Sequence, residues 1–225
     1  MLRRNIAAEP TTIETMPVRN SRSVITVGLL STVLGMAGCA GQVRYPRYYT
    51  LNLPAPVLSS SQPTLGTIAI RDFDAASFLR GGRIVYRESA TELGFYDYHR
   101  WAIDPRRVVT DAVVREIQSL GSFRSVALFD GHEMSDFLLA GQIDHFEEVD
   151  ERAGVSVEVS ISAQLTDMKT GELLWRGDSG HSAQLDQRSV SGVVQQLSVE
   201  TNLAIRKLAA SIRDRLDAKA AAAKR

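Results

Sequence analysis

The clearest pattern in the chain is a run of alternating apolar and polar residues from Val155 to Thr166. Successive side chains of a strand point to opposite faces, so this run predicts a long strand with one buried and one solvated face. The turn-forming stretch 167–172 follows it, and Leu173–Trp175 begins a return strand. The segment Phe137–Phe146 precedes it and is also typical of a strand. Together these segments predict a three-stranded antiparallel meander.

Two amphipathic helices are predicted outside the meander. The first begins at Asp104-Pro105, because Asp caps free amides and proline suits the first helical position. Its apolar residues recur at spacings of three and four, and Gly121 ends it. A second helix is predicted from Ser189, with apolar residues along one side. These positions are, in the first helix, Val109, Ala112, Val113, Ile117 and Leu120, and, in the second, Val190, Val194, Leu197, Ala204, Leu208, Ile212 and Leu216.

Shorter strands are predicted in the rest of the chain, at 48–51, 66–73, 83–87, 93–98 and 125–129. The proline- and serine-rich stretch 54–63 indicates a loop. The order of elements predicts an α/β fold with a single domain over residues 48–217. Its mixed or mostly antiparallel sheet would contain the β-meander and pack against two long helices. Residues 218–225 are predicted to be a flexible tail, either frayed helix or disordered.

The N-terminal segment has the features of a secretory signal. An uncharged, mostly apolar run extends from Val24 to Gly38 and follows Arg19 and Arg22. The run is shorter than the ~20 residues that a membrane-spanning helix needs. It leads into Cys39 through small residues and resembles the lipobox of bacterial lipoproteins, in which the cysteine is acylated and becomes the new N-terminus. The alternative is a short buried helix that ends in cysteine.

The lipobox interpretation divides the N-terminal region into a signal peptide, residues 1–38, and a lipidated tether, residues 39–47. Acyl chains such as palmitate on Cys39 would hold the protein permanently at a membrane. The tether reaches only about 3.5 Å per residue, so the folded domain would stay near that membrane. Residues 1–15 are long for the charged n-region of a signal peptide and include two glutamates, so we predict that translation begins at Met16.

Composition and charge exclude several classes of function. The 225 residues carry 26 basic and 26 acidic side chains, so no positive surplus indicates a nucleic-acid partner. A single cysteine cannot form an internal disulfide, and no cysteine–histidine cluster accompanies it to bind a metal.

Motifs for catalysis are missing from the sequence. The four histidines, at positions 99, 132, 145 and 181, lack metal-ligand spacing, and neither a nucleophile elbow nor a phosphate-binding loop is present. Asp72 and Asp74 lie at the end of a predicted strand and are expected to be solvated turn residues. Asp144 and His145 are adjacent on a strand and are expected to point to opposite faces. We predict no enzyme activity, no cofactor and no metal.

Two further groups of residues leave alternatives open. An acidic run of Glu147, Glu148, Asp150 and Glu151 is expected to be a solvated loop rather than a cation site. An aromatic group lies in the predicted hairpin and just before the first helix, and it is either core packing or a partner surface. This group comprises Tyr86, Phe95, Tyr96, Tyr98 and Trp101, of which Tyr86, Tyr96, Tyr98 and Trp101 are the candidate partner surface.

The whole mature chain resembles the ABC-type transport auxiliary lipoprotein family, of which PqiC is a member. The resemblance rests on short motifs in a shared order. They are Cys39, YYTL at 48–51, GTIAIRDF at 66–73, RIVY at 83–86, WAIDP at 101–105, LAGQI at 139–143 with Phe146, and TGELLW at 170–175.

The resemblance implies an α/β sandwich and a role as partner rather than enzyme. Such proteins accompany an ATPase, a permease and a periplasmic MCE-type protein that move lipids or other apolar molecules between envelope membranes. Ala40 follows the cysteine in place of the aspartate associated with inner-membrane retention, which favours the periplasmic face of the outer membrane. Self-assembly stays open. The alternative functions are regulation of a peptidoglycan synthase, for which the tether is too short, and periplasmic hydrolysis, for which no cluster of polar residues is visible.

Overall fold

The computed structural model describes residues 44–60, 62–131, 135–151 and 154–223. Within these ranges nine strands form one mixed sheet, and two α-helices pack against it. Predictions that concern Cys39, the signal peptide, the start at Met16 and His132 lie outside the described residues. The strands are β1 Arg47–Tyr49, β2 Leu65–Ile70, β3 Asp74–Ala75, β4 Arg83–Ser89, β5 Glu92–Trp101, β6 Phe123–Leu128, β7 Phe137–Glu151, β8 Gly154–Asp167 and β9 Leu173–Gln184. The helices are α1 Pro105–Ser119 and α2 Val190–Ala223.

The predicted meander is confirmed as β7, β8 and β9, which pair antiparallel in that order. Alternate residues of β8 are buried as the pattern predicts, namely Val157, Val159, Ile161, Ala163 and Leu165. The polar residues between them lie on the opposite face and are half-buried. We call this second side of β7–β9 the open face.

The other edge of β7 holds the rest of the sheet. Along its length β7 pairs first with β2, then with β3, and last with β4, and all three pairings are parallel. Strand β2 continues to β6, whereas β4 continues through an antiparallel hairpin to β5 and then to the short β1. The predicted mixed sheet is therefore confirmed, and β7 is its central strand.

Both predicted helices are confirmed. The side chain of Asp104 accepts a hydrogen bond from the Arg106 amide at the start of α1, and Pro105 occupies the first turn. The Ser189 hydroxyl accepts one from the Gly192 amide at the start of α2, at 3.1 Å. Helix α2 packs on β8 and β9, and α1 packs beside it and on β6. Helix α2 continues to Ala223, into the segment predicted to be a frayed or disordered tail.

No described helix combines the length and the apolar composition that crossing a membrane requires.

The strand predicted at 66–73 ends early, at Ile70. The amide of Phe73 donates to the Thr110 hydroxyl on α1, at 2.9 Å, instead of joining the sheet. The buried ring of Phe73 lies directly against Gly141 of β7, where the absence of a side chain leaves room for it. A contact with α1 thus competes with strand pairing, and the local pattern of residues cannot show this.

Candidate functional site

The candidate site lies at the end of β7, where β4 and β5 join the meander. The pairing of β7 with β8 shifts register between Ile143 and His145, which indicates a β-bulge at Asp144. The bulge interrupts the alternation on which the expectation for Asp144 and His145 depended. After the bulge, Glu147 lies opposite Glu158 and its side chain is on the open face of the sheet. Glu148 lies opposite Val157 and its side chain is on the helix side.

The prediction that the acidic run is a solvated loop is wrong. Its residues belong to β7, and the exposed fractions of Glu147 and Glu148 are 0% and 1%. They are buried because β4 runs alongside, with Tyr86 opposite Glu148 and Arg87 opposite Val149. This pairing joins segments about sixty residues apart, so the local sequence does not reveal it.

Glu147 is held by a set of hydrogen bonds that compensates its charge. Its Oε1 accepts from Nε and Nη2 of Arg87, at 3.0 and 2.7 Å, and lies 3.1 Å from Nδ1 of His145. Its Oε2 accepts from the Phe146 amide at 2.7 Å. A buried carboxylate is tolerated only when it is paired and hydrogen-bonded, and Arg87 supplies the opposite charge.

The same carboxylate belongs to a group whose atoms lie close enough for metal binding. His145, Glu147 and Glu158 each offer one ligand atom, and these atoms lie within 4.8 Å of one another. The guanidinium of Arg87, however, already donates two hydrogen bonds to Oε1 of Glu147, and its positive charge opposes a cation there. The arrangement therefore fits an internal ion pair better than a metal site.

Glu148 forms a second, separate network on the helix side. Its Oε2 accepts a hydrogen bond from the Tyr96 hydroxyl, at 2.7 Å. Burial raises the pKa of Glu148; the hydrogen bond from Tyr96 opposes the rise and the nearby Asp150 adds to it. Burial, followed by the bond to Glu148, also raises the pKa of Tyr96. Asp150 in turn pairs with Arg188, which precedes α2. The two adjacent glutamates thus tie β7 to different neighbours.

The raised pKa of Glu148 predicts a pH-dependent cost of folding. Burial disfavours the ionised form of Glu148 in the folded protein. The contribution of Glu148 to the free energy of unfolding is therefore fully present below its ordinary pKa of 4.5, where the carboxyl group is protonated in both states. That contribution is lost as pH rises through the folded-state pKa. We expect Glu148→Gln, which keeps an acceptor for Tyr96, to become more stable relative to the wild type as pH increases from 4.5 toward neutrality. Urea unfolding of both proteins across this range measures the difference.

Glu151→Gln is the matched control, since Glu151 lies on the same strand but is exposed. It should show no such trend. A stability difference between Glu148→Gln and the wild type that stays constant with pH would contradict the prediction.

The aromatic group divides into core and surface. Trp101 is buried and packs on Phe146, with ring centroids 5.5 Å apart, so it belongs to the core and not to a surface. Tyr86 and Tyr96 are half-buried, and their ring centroids lie 5.0 Å apart. Tyr98 is 45% exposed. Of the four candidate surface residues, Tyr98 is therefore the most accessible.

Sequence reasoning missed two residues of this region. The Tyr49 hydroxyl lies 2.9 Å from Nδ1 of His99, the two rings stack, and His99 also contacts Tyr96. Burial, followed by the charge of Arg47, lowers the pKa of His99. The pairing of β1 with β5 brings Tyr49 to this place, and only the shared aromatic character of the two segments hinted at it.

The remaining candidate residues lie apart from this site. Asp74 pairs with Arg80 at 2.6 Å and is largely exposed, as expected, but it begins strand β3 and is not a turn residue. Asp72 lines a cleft of about 390 Å³ with Asp104 and Arg106 at the start of α1. His181 lies between β9 and α2, 3.8 Å from Glu200. The structure does not bring these side chains together with His145.

The comparisons with known proteins agree with this architecture. A family model described as the ABC-type transport auxiliary lipoprotein component matches residues 49–212. This range includes all of β2–β9 and most of α2. The chain belongs to this family. The family is one of transport auxiliary lipoproteins rather than of enzymes. Because its members are lipoproteins, the family match places the protein at a membrane on the periplasmic side.

Two solved structures support the fold. Protein XCC0632 from Xanthomonas campestris is 16% identical, with a TM-score of 0.67 over 77% of this chain and 99% of its own. An uncharacterized protein is also 16% identical, with a TM-score of 0.58 over 75% of this chain and 99% of its own. No curated protein matches the chain.

Proposed function

We propose that this protein is the docking component of an MCE-linked, ABC-type envelope transport system for lipids or other apolar molecules. Its lipid anchor on Cys39 fixes the domain at the periplasmic face of the outer membrane. The domain then engages the MCE-type periplasmic protein and, through it, the permease and ATPase. The match of the auxiliary lipoprotein family over residues 49–212 carries this proposal.

The surface that we assign to docking is the outer side of the β4–β5 hairpin around Tyr98. Tyr98 is 45% exposed, and tyrosine is enriched in protein interfaces. In the same hairpin Tyr96 is fixed by its bond to Glu148, and Tyr86 packs over Gly94, where any side chain would collide with its ring. A surface held rigid in this way loses little conformational entropy on binding.

The anchor is tested by the intact mass of the native protein. We expect a polypeptide that begins at Cys39 and carries the added mass of acyl chains, whereas Cys39→Ala should accumulate as uncleaved precursor. A native chain with an unmodified, uncleaved leader that partitions into aqueous fractions would refute the anchor. Precursor that begins at Met1 would refute the predicted start at Met16.

Docking is tested by site-specific photo-crosslinking in cells. A crosslinking amino acid at position 98 should capture the MCE-type protein or the permease. Val199 on α2 is the control position, because it is similarly exposed, at 47%, but belongs to a different element. Capture of a peptidoglycan synthase from position 98 would favour the rival function. Equal capture of the transport proteins from both positions would refute the assigned surface.

A further inference from the structure

Strand β9 forms an unusually long edge of the sheet. It pairs with β8 on one side, and within the part of the chain that the structure describes no strand pairs with its other side. It has 12 residues, whereas the edge strands β1 and β6 have three and six. Native proteins usually keep free edges short or covered, because their backbone groups are a template for another strand. Such an edge therefore needs an explanation.

The charges on β9 are complementary to those of a second copy of the same strand. Arg176 and Asp178 are exposed and flank Gly177. In an antiparallel pair centred on Gly177, Arg176 of each copy lies directly opposite Asp178 of the other. A shift of two residues in either direction instead places Arg176 opposite Arg176, or Asp178 opposite Asp178. Opposite charges stabilise cross-strand pairs and like charges destabilise them, so the charges favour one register.

The position of α2 is compatible with this pairing. The helix packs on both β8 and β9. With strands about 4.8 Å apart, a helix axis midway between β8 and β9 and a two-fold axis just outside β9 would place the two copies of α2 about 10 Å apart. Packed helices are normally separated by 8–10 Å. The helices of the two copies would therefore pack against each other rather than collide.

We propose that β9 pairs with β9 of a second copy about a two-fold axis at Gly177, and so forms a homodimer with one continuous sheet. The interface is isologous, since the same residues contribute from each copy and the Arg176–Asp178 contact occurs twice. The pairing also joins the open faces of the two copies into one surface. This inference concerns self-association and is independent of the proposed transport function.

The test is a charge exchange in the purified, detergent-solubilised native protein, with light scattering over a range of concentrations. We expect the wild type to be a dimer. Arg176→Asp and Asp178→Arg should each raise the dissociation constant at least about tenfold, because each places like charges opposite one another twice. The double variant restores opposite charges and should return to within about threefold of the wild type.

Arg124→Asp on β6 is the matched control, because it makes the same charge change on another edge strand. It should leave the dimer intact. Arg176 also donates to Gln164 within its own chain, so thermal melting of each variant checks its fold. If a reversal variant fails to fold, the milder Arg176→Gln should still weaken the dimer. A monomeric wild type, or a double variant as weak as the single ones, would overturn the proposal.

Discussion

Replacing Arg87 by methionine is expected to lower the free energy of unfolding by about 3–5 kcal/mol. The substitution leaves the carboxylate of Glu147, which has no exposed surface, without the guanidinium that balances its charge. The bonds from His145 and the Phe146 amide remain, but neither replaces a full opposite charge held by two hydrogen bonds. Equilibrium unfolding in urea at neutral pH measures the loss.

Two comparisons make this prediction specific. Arg87→Met combined with Glu147→Gln removes the buried charge but keeps an acceptor for the Phe146 amide, so it should recover more than half of the loss. Arg80→Met is the control, because Arg80 and Asp74 form an exposed ion pair and such pairs contribute about 0–1 kcal/mol. Equal effects of Arg87→Met and Arg80→Met would show that the burial of Glu147 does not matter.

Replacing Trp101 by alanine is expected to cost about 3–5 kcal/mol, the range for removing a large buried aromatic side chain. Trp101, the last residue of β5, is only 8% exposed and packs in the core against Phe146 of β7. The variant should therefore melt at a lower temperature and lose partner binding only because it unfolds. Thermal melting followed by circular dichroism measures the change.

Tyr98→Ala separates the two interpretations of the aromatic group. Tyr98 is 45% exposed, so its replacement should cost less than about 1 kcal/mol while it weakens capture of the transport partner. A large loss of stability in Tyr98→Ala would assign this residue to the core as well. Unchanged capture by a stable variant would remove it from the proposed docking surface.

The buried glutamates connect these predictions to the proposed function. Glu147 ties β7 to Arg87 on β4, and Glu148 ties it to Tyr96 on β5. The β4–β5 hairpin that carries Tyr98 is thus fastened to the central strand from both faces of the sheet. Polar networks of this kind rigidify a structure when every member is satisfied. We expect Arg87→Met to disturb the hairpin as well as overall stability.

Local patterns were sufficient for most of the elements. The alternation from Val155 to Thr166 predicted β8 and its buried face, and Asp104-Pro105 predicted the start of α1. The short turn 167–172 made the return strand predictable. These features depend on residues close together in the chain, whose spacing reflects the geometry of a single strand or helix. The family resemblance likewise depended on short motifs in order, and the family match confirms it.

The candidate site required the tertiary structure. Nothing near Glu147 and Glu148 in the sequence reveals that they are buried, because the strand that covers them begins at Arg83. The bulge at Asp144 changes which face each later side chain of β7 occupies, and Trp101 of β5 enters the core by packing on Phe146 of β7, a contact between distant segments. The sequence by itself determined the elements and the family, whereas long-range pairing decided burial and contacts, since these depend on segments that are distant in the chain.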